Sequence, residues 1–291
     1  MRLHLIHRTT FVYDDHARDS FNEARLRPSD DFGQKVQNFS LRTDPPSSVQ
    51  GYVDYFGNHA QRFSIAQAHP QLTVEAESVV VTVPNAERRP VPNPPNDAPE
   101  TEAEFFDQLE YVQPTRYVPL DENVEAASRE VLKTRQGVWG DVLAVAGFVN
   151  RTLVYKPQAT AVDTLASEAL RLRAGVCQDF AHVTLALCRS AGLPVRYVSG
   201  YFLNPGRRPD EIEASHAWIE AYVPGYGWAG YDPTHNRLAD DRYIRVAGGR
   251  DYADIRPING TYRGSATKEL RVEVQVRENA ANLGARRVSV A

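Results

Sequence analysis

The sequence predicts an α+β fold whose N-terminal domain is all-β and sandwich-like, and three observations support that reading. Residues 1–83 alternate apolar and polar side chains in short runs, residues 84–99 hold six prolines, and residues 100–291 open with helical periodicity before strands return. Alternation with a period of two puts successive side chains on opposite faces of a sheet, whereas apolar residues three or four apart share one face of a helix.

Taken in order, Leu3, Leu5, Phe11 and Tyr13 alternate with polar neighbours, and so do Phe39 and Leu41. The run LTVEAESVVVTV (72–83) also alternates, but its apolar parity changes midway, which predicts a bulge. RPSDD (27–31), DPP (44–46) and FGN (56–58) separate the runs as turns. In 84–99 the prolines fix φ and remove amide donors, so this segment reads as a semi-rigid linker and a domain boundary. Beyond it, TEAEFFDQL (101–109), ENVEAASREVL (122–132) and DVLAVAGFVNRTL (141–153) carry the helical period. A long apolar helix starts near Cys177, and strands are expected at 194–203, 216–223 and 228–232. LRVEVQV (270–276) is assigned to the same 100–291 core as a late strand, and the last dozen residues to a frayed tail.

Composition excludes several classes. With 291 residues the chain has ample core, and 42% apolar and 24% charged residues are those of a soluble globular protein. A net charge of -4 offers nothing to a nucleic acid or an anionic membrane. No apolar run is long enough to span a bilayer. The N-terminal MRLHLIHRTTFVYDD alternates where a signal peptide would be continuously apolar, so a cytoplasmic location is expected. Two cysteines make no disulfide framework, and no C-x-x-C suggests zinc. His4, His7, His16, His59 and His69 show no metal-ligand spacing.

That leaves a thiol. Cys177 follows Gly175 at the start of an apolar helix that Gly192 and Pro194 end. At a helix N-terminus, unpaired N–H groups and the positive end of the macrodipole favour thiolate over thiol, unless the residue is simply a small buried apolar one. Cys188 lies on the same helix, roughly 16 Å away at about 1.5 Å per residue, so a disulfide between the two is excluded and Cys188 reads as core. A base is available in ASHAWIEAYVPGYGWAGYDPTHN (214–236), a strand, a turn and a second strand. His216 opens the first strand and Asp232 ends the second, and a carboxylate beside an imidazole stabilises the imidazolium that a thiolate needs. Parity constrains this pairing: a four-residue turn puts the two on opposite faces, whereas an odd turn makes Asp232 the diagonal neighbour of His216. Each residue has an ordinary structural role when read alone; the conjunction points to chemistry.

These segments resemble a known family. GVCQDFAH, GLPVRYVSGY, SHAWIE and WAGYDPT are similar to the core of the transglutaminase-like superfamily, whose Cys, His and Asp fall on Cys177, His216 and Asp232. LRPSD (26–30) and YVDYFGN (52–58) resemble the N-terminal β domain of its bacterial members, and AGGRDYADIRP (247–257) the segment after the aspartate. His235 departs from the pattern, since Asn or a similar residue is more usual after D-P-T. The resemblance implies a papain-like core and acyl transfer at amide carbonyls through a Cys177 thioester. It implies a peptide or protein substrate and no cofactor, and no carboxylate cluster is spaced as a calcium loop. Hydrolysis is favoured over transfer to an amine, with a non-catalytic peptide-binding module as the further alternative. Trp218 and Trp228 are candidate cleft walls, and Gln178 and Tyr155 candidate oxyanion donors. His182 reads as a core histidine, and Arg250 and Asp251 as residues that structure a loop or pair on the surface.

Overall fold

The computed structural model describes residues 1–31, 33–84, 87, 89–98, 102–204 and 215–278. Five strands come first: β1 (Arg2–Ala24), β2 (Gln34–Asp44), β3 (Gln50–Val53), β4 (His59–Ile65) and β5 (His69–Thr82). They form an antiparallel sheet in the order β2-β5-β1-β4-β3. The first half of β1 pairs with β5, its last five residues pair with β4, and the register breaks between Val12 and Ala17. One long strand is thus shared by two arms. Leu72, Val74 and Ala76 of one arm and Phe63 and Ile65 of the other meet in a single apolar cluster with Tyr13 and Ala17.

The bulge expected within 72–83 lies elsewhere. On β5 the even-numbered residues stay buried through Thr82, so its parity holds. Ser78 and Thr82 are buried polar residues on that face, and Thr82 donates its hydroxyl to the Asp241 carbonyl (2.6 Å). Valines on both faces hid this from the pattern. The irregularity belongs to β2, between Val36 and Asn38, opposite Val79–Val80.

The C-terminal strands also depart from expectation. β13 (Ile258–Gly264) and β14 (Thr267–Glu278), assigned above to the core, hydrogen-bond to β1 and complete the N-terminal sheet. Pairing between chain ends is set by tertiary docking, for which alternation carries no signal. The tail from 279 onward lies outside the described residues, as do Pro99 and Ala214.

The remaining chain packs helices on a second antiparallel sheet. Its helices are α1 (Glu102–Gln108), α2 (Glu122–Val131), α3 (Val138–Thr152), α4 (Ala166–Leu172) and α5 (Cys177–Ser190). The short strands β6 (Val154–Tyr155) and β7 (Ala174–Gly175) pair in parallel. The sheet runs in the order β11-β10-β9-β8-β12, with β8 (Val195–Phe202), β9 (His216–Val223), β10 (Gly227–Asp232), β11 (Arg237–Leu238) and β12 (Tyr243–Gly249). Helix α5 is buried on every face from Asp179 to Arg189. It ends as its sequence predicts: Gly192 has φ 74°, the Leu193 N–H bonds the Cys188 carbonyl (3.0 Å), and the Gly192 N–H bonds that of Arg189 (2.9 Å).

Both sheets are tied together. Leu3, Leu5 and Val80 of the N-terminal sheet belong to the main apolar cluster with Val183, Leu187 and Val223. Buried Tyr201 and His7 share a hydrogen bond (2.8 Å), Gln34 donates to the Arg245 carbonyl (2.7 Å), and Asn58 donates to that of Gly248 (2.9 Å). The proline-rich stretch is docked as well: Pro94 accepts the Val138 N–H (3.0 Å), and the Asn93 side chain accepts from Gly140 (2.8 Å) at the start of α3. Among the described residues, no helix is long and apolar enough to cross a membrane.

Candidate active site

Cys177 is the first residue of α5, half-buried and not paired in a disulfide. The turn that delivers it depends on Asp179, whose carboxylate folds back to accept the Val176 N–H (2.7 Å) and the Thr160 hydroxyl (2.7 Å). A side chain at Gly175 would run into that carboxylate, so glycine is required there. Burial pushes the Asp179 carboxyl up, and the hydrogen bonds from Thr160 and Val176 oppose it. The Gln178 side chain donates to the Val162 carbonyl (2.8 Å), which ties the preceding loop to the first turn of α5.

The hairpin of β9 and β10 closes through a three-residue turn, with Val223 opposite Gly227 and Ile219 opposite Tyr231. Gly225 (φ 71°) and Gly227 (φ 96°) supply the left-handed positions that such a turn needs. The odd turn meets the parity condition: His216 and Asp232 share a face, and Nε2 of His216 bonds Oδ2 of Asp232 at 2.7 Å. The other ring nitrogen is left for Cys177, whose nearby sulfur helps to hold the imidazole charged. Burial works against a charge on His216, but the hydrogen bond to Asp232 and the attraction of Asp232 and Cys177 outweigh it and push the imidazole up to about 10. Asp232, fully buried, is raised by burial but held well below the usual carboxylate range by hydrogen bonds from His216 and His235.

Asp232 is gripped from all sides. Its Oδ1 accepts the N–H groups of Thr234 (2.8 Å) and His235 (3.3 Å), and Oδ2 also accepts from Nδ1 of His235 (2.6 Å) and the Tyr243 hydroxyl (2.8 Å). Two imidazoles and a carboxylate are metal-ligand types, and the ligand atoms of His216, Asp232 and His235 lie within 4.8 Å of one another. Their N···O separations are hydrogen-bond lengths, whereas ligands about 2.1 Å from a tetrahedral metal stand roughly 3.4 Å apart.

Sequence reasoning did not foresee Tyr243, Thr160 or the grip of His235. Tyr243 comes from β12, which reaches the site only through its pairing with β8, and no local pattern marks it. Trp218 is buried behind His216, its ring stacked at 6.1 Å, so it supports the imidazole rather than walling an open cleft. Trp228 sits opposite Tyr222 at the other end of the hairpin, under the Arg196 guanidinium and against Tyr111, roughly 20 Å along the strand from His216. Tyr155 is half-exposed on β6, which pairs with β7 just ahead of Cys177. His182 is buried, accepts the Tyr252 N–H (3.3 Å) and stacks on Tyr117. Arg250 pairs with Asp254, and buried Asp251 accepts the Tyr117 N–H (3.1 Å). Cys188 is wholly buried, and burial pushes its thiol up.

Comparison with known proteins agrees with this architecture. A family model described as the bacterial transglutaminase-like N-terminal region matches residues 3–81, and one described as the transglutaminase-like superfamily matches residues 125–233. An uncharacterised Mycobacterium leprae protein is 38% identical over 282 residues, covering 94% of this chain and 98% of its own length. A protein-glutamine gamma-glutamyltransferase of Pseudomonas aeruginosa is 32% identical over 119 residues, 38% of this chain and 18% of the relative. The solved structure of a candidate cysteine protease from Cytophaga hutchinsonii superposes with a TM-score of 0.73 at 21% identity, covering 96% of this chain and 92% of that one. At that identity the likeness is one of fold.

Proposed function

The chain belongs to the transglutaminase-like superfamily, and from that premise we propose that it is a thiol enzyme acting on amide carbonyls of peptides or proteins. Cys177 is the nucleophile, His216 the acid and base, and Asp232 the group that orients His216. One observation carries this reading: Nε2 of His216 is committed to Asp232 at 2.7 Å, which leaves the other ring nitrogen for the nearby Cys177 sulfur.

The chemistry follows from that arrangement. The Cys177 thiolate, paired with the His216 imidazolium, adds to the carbonyl carbon, and the oxygen takes the negative charge. The N–H groups of Cys177 and Gln178, which have no carbonyl four residues back within their own helix, stabilise that oxyanion. As the C–N bond breaks, Nδ1 of His216 gives its proton to the leaving nitrogen, which leaves a thioester and a neutral imidazole. His216 then takes a proton from water as the water oxygen adds to the thioester. Collapse expels the thiolate, releases the carboxylic acid and restores the ion pair.

Water is the favoured acceptor, because Cys177 is only half-buried and water is always at hand. Transfer to an amine is the second reading, favoured by the gamma-glutamyltransferase relative. The test is to trap the acyl-enzyme from a peptide library and locate the acyl group by mass spectrometry. An adduct on Cys177 released by water supports hydrolysis, release only by lysine analogues supports transfer, and no adduct on Cys177 overturns both.

A further inference from the structure

Three donors converge on Oδ2 of Asp232, and they are not equivalent. His216 reaches it from β9 and Tyr243 from β12, each through one hydrogen bond to that oxygen. His235 alone among its partners bonds both carboxylate oxygens, with its backbone N–H on Oδ1 (3.3 Å) and Nδ1 on Oδ2 (2.6 Å). An ionised carboxylate only accepts, so Nδ1 of His235 carries the proton and Nε2 is left facing away from Asp232. The ring, 40% exposed, packs beside two neighbours: its centroid lies 4.8 Å from that of Phe202 and 5.2 Å from that of His216.

We propose that His235 is a positioning residue: by holding both oxygens of Asp232 it fixes the rotation of the carboxylate and aims Oδ2 at Nε2 of His216. This rests on Cys177, His216 and Asp232 acting as in the reading above. A carboxylate gripped only at Oδ1 by backbone N–H groups can turn about its Cβ–Cγ bond. Its aim at His216 then rests on the Tyr243 hydroxyl alone. The effect on chemistry is indirect, through the imidazolium that Asp232 stabilises and thus through the reactivity of the Cys177 sulfur. A side chain at 235 that can donate from the position of Nδ1 preserves the grip; one that merely fills the space does not.

Asparagine meets that requirement, because its Nδ2 sits where Nδ1 of histidine does, while leucine fills the space without a donor. The experiment alkylates the native protein with iodoacetamide near pH 6 and follows Cys177 by mass spectrometry, in the wild type and in the variants His235→Asn, His235→Leu and His235→Ala. Losing one hydrogen bond to a charged group lowers the alkylation rate of His235→Leu and His235→Ala about tenfold. His235→Asn stays within about threefold of wild type, and thermal unfolding ranks the variants differently from reactivity. Equal rates in all four proteins, or His235→Asn as slow as His235→Leu, overturn the proposal. A wild-type Cys177 that reacts no faster than a free small-molecule thiol instead sinks the underlying ion-pair reading, whatever the variants do.

Discussion

Helix α5 carries a cysteine near each end, and the two ends differ in every respect that governs a thiol. At the first turn, Cys177 is half-buried, close enough to His216 to help hold its imidazole charged, and flanked by amides with no intrahelical acceptor. In the last turn, Cys188 is wholly buried, its carbonyl is taken by the N–H groups of Ala191 and Leu193, and burial pushes its thiol up. Residue type and helix are the same. Position along the helix and the partner brought by the hairpin separate the proposed nucleophile from core filling, because reactivity belongs to the environment rather than to cysteine itself.

Changes at the two ends test that contrast. Cys177→Ala should lower turnover by about 10⁴-fold or more while leaving the unfolding temperature near that of the wild type, and it should abolish alkylation of the native protein. Substantial labelling of Cys188 in that variant would erase the contrast. Asp232→Asn should lower kcat by about 10²- to 10⁴-fold, because the neutral amide no longer holds an imidazolium, and a steady-state comparison would read it.

A pH series sharpens the role of His216. Its folded value, about 10, lies above the ordinary 6.5, so its charge stabilises the fold fully below 6.5, and this contribution is lost as pH rises through 10. Denaturant melts should therefore show the stability advantage of wild type over His216→Gln shrinking between these two pH values. Smaller effects belong to packing. Gly175→Ala should cost about 1–3 kcal/mol in chemical unfolding, since the new methyl group displaces the Asp179 carboxylate that shapes the Cys177 turn. Cys188→Ala should cost about 1 kcal/mol and leave turnover within about twofold, which is the signature of core.

Much of the site was legible locally. Glycine before the helix, Gly192 at its end and the parity of the hairpin each follow from one segment, and the three-residue turn satisfies the parity condition. The motif residues near the N-terminus were legible as motifs but not as contacts. Ser29 and Asn58 reach Arg245 and Gly248 across more than 180 residues of chain, so their role is to dock one sheet on the other. Trp228 shows the opposite failure: its hairpin carries His216 and Asp232, but strand length places it at the wrong end. The bulge was assigned to the wrong strand because valines on both faces of β5 mask which parity is buried.

What the sequence by itself determined is whatever local periodicity and turn chemistry can encode: an alternating N-terminal region, a buried helix beginning at Cys177, and a hairpin with His216 and Asp232 at its open end. Only the tertiary structure decided that β13 and β14 return to β1, that Tyr243 and His235 close around Asp232, and that the Trp218 ring supports His216 from behind. The physical reason is range. Periodicity reports which face of an element is buried, while a hydrogen bond between residues on different strands depends on how the sheets pair and pack.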